Sequence, residues 1–142
     1  MPGRDPTCIF CAIVAGEAPA EVLDEDEHTV TLMDINPATK GHALVIPREH
    51  SEDLLAISEE DLRHTAVAAQ RIAKRMERAL EPDGFNLINA CRVAAWQTVF
   101  HFHIHVIPRY EDDPLKLPWI PRGADMDEIA SIAATIRNGG QS

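Results

Sequence analysis

Gln97-Thr98-Val99-Phe100-His101-Phe102-His103-Ile104-His105-Val106-Ile107 alternates apolar residues with histidine from Phe100 to Val106. A repeat of two predicts a β-strand, here over 98–107, with Pro108 ending it. Side chains at i, i+2 and i+4 of a strand share a face, with neighbours roughly 7 Å apart. His101, His103 and His105 are therefore expected on one face, and Phe100, Phe102, Ile104 and Val106 in the core. Three such histidines can be no more than the polar side of a half-buried strand. They can also be a metal site, although one strand spaces its side chains poorly for a single tetrahedral ion. Imidazole chemistry offers a third reading. The ring is largely neutral and nucleophilic near pH 7, and its adduct with phosphorus is reactive enough to be hydrolysed in a second step. One ring nitrogen can attack only if the other is held as a donor, so a neighbour must fix the tautomer. The central residue, His103, is then the natural nucleophile, and a flanking histidine is left to bind phosphate oxygens.

Working outward, Phe85–Asn89 predicts a partner strand, and His28–Met33 and His42–Ile46 predict two more, joined by the turn-rich stretch from Asp34 to Gly41. Leu62, Ala66, Ala69, Ala73, Met76 and Leu80 recur at helical spacing and predict a long amphipathic helix over 59–80. Ser58 suits its N-cap, Glu59, Glu60 and Asp61 suit its first turn, and Pro82 and Gly84 stop it. A short helical or turn segment is expected over 8–15, ended by Gly16. Residues 111–124, with Pro114, Pro118 and Pro121, should be irregular. A last helix is expected over 127–138, with Asp125 as cap, Gly139 as stop, and Ile129, Ile132, Ala133 and Ile136 on one face. The pattern is α+β, in one domain spanning 1–142 with no repeat and no linker.

Composition narrows the partners. The chain carries 13 Lys+Arg against 23 Asp+Glu, a net charge of −10, which argues against nucleic-acid polymers, since these select a basic face. One small phosphorylated ligand is still compatible, because local donors can bind it inside an acidic protein. No stretch reaches the roughly 18 apolar residues of a membrane span, and Met1-Pro2-Gly3-Arg4-Asp5-Pro6 has no apolar run of a secretory signal. A cytoplasmic protein is the expectation. Three cysteines do not make a disulfide framework, but Cys8-Ile9-Phe10-Cys11 has metal-ligand spacing. A lone pair is half a site. Two small apolar residues packed on the core is the competing reading, and a thioredoxin-like redox pair would need a strand upstream, for which seven residues are too few. Cys91 matches no motif. Without a P-loop or a Gly-x-Gly-x-x-Gly motif, kinase, ATPase and Rossmann readings are poor.

His101-Phe102-His103-Ile104-His105-Val106-Ile107 resembles the signature of the histidine triad (HIT) family of nucleotide hydrolases and transferases. The similarity extends to Asp34-Ile35-Asn36-Pro37 through Gly41-His42-Ala43-Leu44-Val45-Ile46-Pro47-Arg48-Glu49-His50, and to Asn89 and Gln97-Thr98-Val99. The resemblance implies a HIT-like antiparallel sheet carrying two main helices, and a homodimer formed through the long helix and the sheet edge. It implies His103 as nucleophile on an α-phosphate, giving a covalent nucleotidyl-histidine that water releases as a nucleoside monophosphate. His105 would contact the α-phosphate, Gln97 and Thr98 would hydrogen-bond the phosphate or leaving group, and the Val99 N–H would lie nearby. Asp34 would bind ribose hydroxyls, Ile35 would pack on the base, Asn89 would sit near the phosphate, and His42 would support the triad. Taken alone, Asp34 reads as a turn-former, Asn89 as a strand-end residue and His42 as an edge histidine.

The substrates implied are purine nucleoside phosphoramidates or dinucleoside polyphosphates. Two alternatives stand beside hydrolysis: transfer of the nucleotidyl group to an acceptor other than water, and a nucleotide-binding sensor with little turnover. Zinc-containing members of the family, of bacterial type, imply a structural Zn2+ on Cys8, Cys11, His50 and His101, a closed set with no open position. One departure bears on the leaving group: Trp96 stands where the family commonly has glycine, and the loop 90–95 lacks the usual glycines.

Overall fold

The computed structural model describes residues 3–139, so Met1 and Pro2 of the opening hexapeptide lie outside the described residues. Its elements run α1 (Ile9–Val14), β1 (Val22–Glu25), β2 (Thr29–Met33), β3 (Ala43–Pro47), α2 (Glu59–Leu80), β4 (Gly84–Ile88), a single 3-10 turn at Val93–Ala95, β5 (Ile104–Arg109) and α3 (Met126–Asn138). The five strands make one antiparallel sheet in the order β1-β2-β3-β5-β4. The chain leaves β3 through α2 and returns as β4 at the far edge. β5 then fills the gap between them, which places the triad strand next to the centre of the sheet.

α2 has the predicted bounds because its signals are local. The Ser58 hydroxyl accepts from the Asp61 N–H, three acidic residues sit in the first turn, and Glu81 closes the helix in the left-handed region. Its inner face, Ala68, Ala69, Ile72 and Met76, packs on Ala43, Val45, Phe102, Ile104 and Val106. Burying one side chain such as Ile72 stabilises the fold by about 1.5–3 kcal/mol. The opposite face of the sheet is also covered: Val30, Leu32, Leu44 and Ile46 pack with Phe10 of α1. Burial on both faces explains why β3 reads as a continuous apolar run rather than an alternation.

β2 and β3 form a hairpin with Thr29 opposite Pro47 and Met33 opposite Ala43. Its turn ends at Gly41, with φ +93°, where a Cβ would come within 2.5 Å of Leu80 Cδ1. Only glycine suits that backbone and that approach, and it delivers His42 onto the sheet.

Several expectations need correction. β5 begins at Ile104 rather than 98, and it runs through Pro108 to Arg109. Before Ile104 the backbone bonds elsewhere, the Phe102 N–H donating to the Ser51 carbonyl at 2.7 Å. Pro108 fits because the pairing of β3 with β5 runs from Val45 opposite Ile104 only to Ala43 opposite Val106. Beyond Val106, β5 has a partner on the β4 side alone, so a missing N–H costs no ladder bond. Phe102, Ile104 and Val106 do enter the core, but Phe100 is 41% exposed. The polar-outer-side reading of the triad does not hold for His101 and His103, which are buried with Phe10 of α1 packed edge-on against them. β1 was not anticipated: its residues, Val22-Leu23-Asp24-Glu25, are half acidic, and a register shift between Val22 and Asp24 breaks the alternation. α3 has its expected cap, the Asp125 carboxylate accepting from Asp127 N–H, yet buries none of its residues, so of the two main helices only α2 lies on the sheet. No helix among the described residues is long and apolar enough to cross a membrane.

Candidate active site and metal-ligand cluster

The parity of the strands puts His42, Leu44 and His105 on the α1 side of the sheet, Leu44 standing directly opposite His105. His101 and His103 enter the same layer from the segment before β5. Phe10 closes over them edge-on, its ring centroid 5.8 Å from that of His101 and 5.2 Å from that of His103.

Hydrogen bonds then settle the protonation of each ring. His103 Nδ1 lies 2.7 Å from the His101 carbonyl oxygen, an acceptor only, so Nδ1 carries the hydrogen and Nε2 is bare. His42 Nδ1 accepts from the Ala38 N–H at 2.9 Å, so its hydrogen is on Nε2 and points at His105 Nδ1, 3.0 Å away. His105 is therefore protonated on Nε2. His101 donates from Nε2 to the Pro47 carbonyl at 2.8 Å, which leaves its Nδ1 bare.

Burial favours the neutral rings. It is the main cause that pushes His103 and His42 below the ordinary imidazole value, against the opposing pull of the Asp34 carboxylate and, for His103, of its carbonyl bond. His105 is pushed down to about 4, chiefly by burial and then by its two histidine neighbours. His101 is likewise pushed down to about 4, chiefly by burial.

A cavity of about 360 Å³ opens over this layer, lined among others by Phe10, Asp34, Ile35, Thr98, His103 and His105. Val99 also lines it. Ile35 is 89% exposed at its rim. Asp34 does two things: Oδ1 accepts from the Asn36 N–H at 2.8 Å and so builds the hairpin turn, while Oδ2 lies 3.4 Å from His42 Nε2.

Two residues expected at the phosphate, Gln97 and Asn89, have their side chains engaged behind the wall. Gln97 is buried, its Oε1 accepting from the Arg92 N–H at 2.6 Å and its Nε2 donating to the carbonyls of Glu52 at 2.7 Å and Val99 at 3.1 Å. The amide NH2 is thus committed to backbone carbonyls, and the amide oxygen braces the loop at Arg92. Asn89 donates from Nδ2 to the His103 carbonyl at 2.9 Å, and its buried Oδ1 finds no partner among the described residues. His42 supports His105 from below. Residues missed from the sequence include Phe10, Leu32 and Leu44, which are cavity walls, and Arg92, which holds Gln97. Phe10 stands between two cysteines, and no local pattern distinguishes it from any other core aromatic.

Trp96 has φ +77° and ψ 22°, the left-handed region that favours glycine, and is 71% exposed. It lines a second, larger cavity beside Asn89, while Thr98, two residues on, lines the first.

The Cys8-x-x-Cys11 pair sits at the start of α1, where Cys8 Sγ accepts from the Cys11 N–H at 3.4 Å. Cys8 Sγ lies 3.4 Å from His101 Nδ1, Cys11 Sγ lies 3.4 Å from His50 Nδ1 and 3.6 Å from His101 Nδ1, and the two Nδ1 atoms are 3.3 Å apart. Zinc bonds of about 2.0–2.3 Å set tetrahedral edges of about 3.3–3.8 Å, and these four separations fall within that range. The tautomers agree: the bare His101 Nδ1 is the atom that faces the cluster.

Residues 15–112 match the family model of the HIT domain. The chain belongs to the HIT domain family. Over 132 residues this HIT chain is 37% identical to Protein hit of Bacillus subtilis, covering 91% of each. Among solved structures it is similar to a zinc-bound histidine triad family protein from Mycobacterium smegmatis, at 39% identity and TM-score 0.75, over 91% of this chain and 97% of that one. It is also similar to a histidine triad nucleotide-binding protein from Candida albicans, at 28% identity and TM-score 0.84, over 93% and 96% of the two chains.

Proposed function

We propose that this HIT protein hydrolyses a purine nucleotide derivative at its α-phosphate, through a covalent nucleotidyl intermediate on His103. The observation that carries the reading is the 2.7 Å bond from His103 Nδ1–H to the His101 carbonyl, which leaves an unprotonated Nε2 on a residue lining the cavity. A neutral ring with one nitrogen held as donor is the form that attacks. His103 Nε2 bonds to the α-phosphorus as the bond to the leaving amine or phosphate breaks, and the leaving group takes a proton from solvent. Water then cleaves the P–N bond, restoring neutral His103 and releasing the nucleoside monophosphate. His105, with its hydrogen on Nε2, donates to a phosphate oxygen. Thr98 and the Val99 N–H serve the same phosphate from the cavity wall. Asp34 takes the ribose hydroxyls and Ile35 packs on the base. Gln97, Asn89 and His42 act one step back, on the loop, the His103 carbonyl and the His105 tautomer.

Cys8, Cys11, His50 and His101 hold a Zn2+ in this proposal. Four protein donors leave no position for substrate, so the ion supplies structure rather than chemistry. The zinc-bound state of the Mycobacterium smegmatis relative supports it. Two copies pair through the long helix α2 and the β4 sheet edge, where Leu87 and Ile88 are exposed on the outermost strand.

The test is AMP release from adenosine 5′-phosphoramidate by wild type and by His103→Ala, with rapid-quench intact-mass analysis. Turnover by wild type alone, with an adenylated protein trapped, is the expected result. Saturable AMP binding without turnover would favour the nucleotide sensor, and neither binding nor turnover would overturn the nucleotide assignment.

A further inference from the structure

We propose that His28, Glu60 and His64 form a second divalent-metal site, at the outer end of α2 and separate from the cysteine cluster, taking an imidazole-preferring ion such as Ni2+ or Zn2+. Glu60 and His64 are one helical turn apart on α2 and present their side chains on one face, with His64 Nε2 3.8 Å from Glu60 Oε1. His28 immediately precedes β2, and its imidazole stacks on that of His64 with centroids 3.7 Å apart and planes 11° from parallel. One donor atom from each of the three residues falls within 4.8 Å of the others.

A tetrahedral ion with bonds of about 2.1 Å needs donor separations of about 3.4 Å, so His64 and Glu60, at 3.8 Å, must close only slightly and no pair by more than about 1.4 Å. The ring stack must also open, since near-parallel imidazoles point their in-plane lone pairs past one another; both rings are more than a third exposed and Glu60 is more exposed still, which leaves room for it. The backbones beneath are well anchored. The His28 N–H donates to Asp26 Oδ1 at 2.7 Å, and its carbonyl accepts from the Arg48 N–H at 2.8 Å. The side chains can therefore converge while the frame stays fixed.

The surroundings favour a cation. A cavity of about 310 Å³ beside the cluster is walled by Glu27, Glu49, Glu60 and Asp61. Arg48, the one cation among the described residues lining it, is committed elsewhere, to Glu25 at 3.0 Å and the Asp26 carbonyl at 2.7 Å. Two imidazoles and a carboxylate suit zinc and nickel better than magnesium or calcium, which prefer all-oxygen sets. Three protein donors leave at least one position to water, so binding is reversible and clamps the first turns of α2 to the start of β2.

The test is equilibrium uptake of Ni2+ by the purified full-length protein, its resident metal measured first, in wild type, His28→Ala, His64→Ala and the neighbouring Glu59→Gln. Wild type and Glu59→Gln should bind one more equivalent than either histidine variant, without a thiolate charge-transfer band. Added Ni2+ should raise the Tm of wild type but not that of His64→Ala. The His28 ring can be removed without loss of the Asp26 turn, which uses the backbone N–H, and circular dichroism verifies both folds. Equal stoichiometry in all four proteins, or an extra equivalent that appears only with a thiolate band, overturns the proposal.

Discussion

Substitution of His42 separates support of the His105 tautomer from support of the hairpin, because its two ring nitrogens face different partners. Nδ1 accepts from the Ala38 N–H at 2.9 Å and Nε2–H donates to His105 at 3.0 Å. His42→Ala removes both. Leaving the part-buried Ala38 N–H without a partner costs about 1–2 kcal/mol of stability. Without its donor, His105 is free to move its own hydrogen to Nδ1, toward Asp34 Oδ2 at 4.0 Å, and the bond into the cavity is lost. A hydrogen bond to a charged phosphate oxygen is worth about 1.5–3 kcal/mol, so kcat/KM should fall roughly ten- to hundredfold. His42→Gln places an amide NH2 near the former Nε2, and His42→Asn places a carbonyl oxygen near the former Nδ1. Activity on adenosine 5′-phosphoramidate should therefore recover in the Gln variant, and thermal stability in the Asn variant. An Ala variant within threefold of wild type, or an Asn variant as active as the Gln variant, would refute the relay.

Three further outcomes follow from particular contacts. Stripping the metal with a strong chelator, or Cys11→Ser, should lower Tm by about 10 °C or more while zinc restores only the chelated wild type, because metal affinity at a site absent from the unfolded chain is folding free energy; an unchanged Tm on verified metal loss refutes the structural role. At Trp96, the left-handed backbone makes glycine more stable than alanine by about 1 kcal/mol, measured by urea unfolding of the two variants, and equal midpoints would remove the backbone argument. Burial pushes the Asp26 carboxyl up, but the N–H groups of His28 and Thr29, the Thr29 hydroxyl and Arg71 outweigh it and bring it to about 2. A carboxylate depressed on folding stabilises above its unfolded value of about 3.9 and loses that contribution as pH falls toward 2. Asp26→Asn should therefore be less stable than wild type at pH 7, with the gap closing between about pH 4 and 2. A gap independent of pH counts against the assignment.

What could be read from the chain followed how local each signal is. The ends of α2 are coded by Ser58, the acidic first turn and the Pro82–Gly84 stop, all within a few residues of the helix, and its bounds match the expectation. The triad's alternation marked Phe102, Ile104 and Val106 as core and the histidines as a single set, because side-chain parity is a property of consecutive residues. It could not tell where the ladder begins, since the Phe102 N–H goes to Ser51, fifty-one positions earlier. Nor could it tell that the histidine face is buried, which depends on α1 arriving from the other end of the chain. Gln97 carries the same residue type whether it reaches a ligand or braces a loop; only the positions of Arg92 N and Glu52 O show that its amide is already engaged. Residue pattern was enough for the family and for naming the two cysteines and two histidines that gather in one cluster. Only the folded chain decides which nitrogen of His42, His101, His103 and His105 is bare, because a tautomer is chosen by an acceptor or donor about 3 Å away in space, and the Ala38, His101 and Pro47 backbone groups behind those choices leave no trace in residue type.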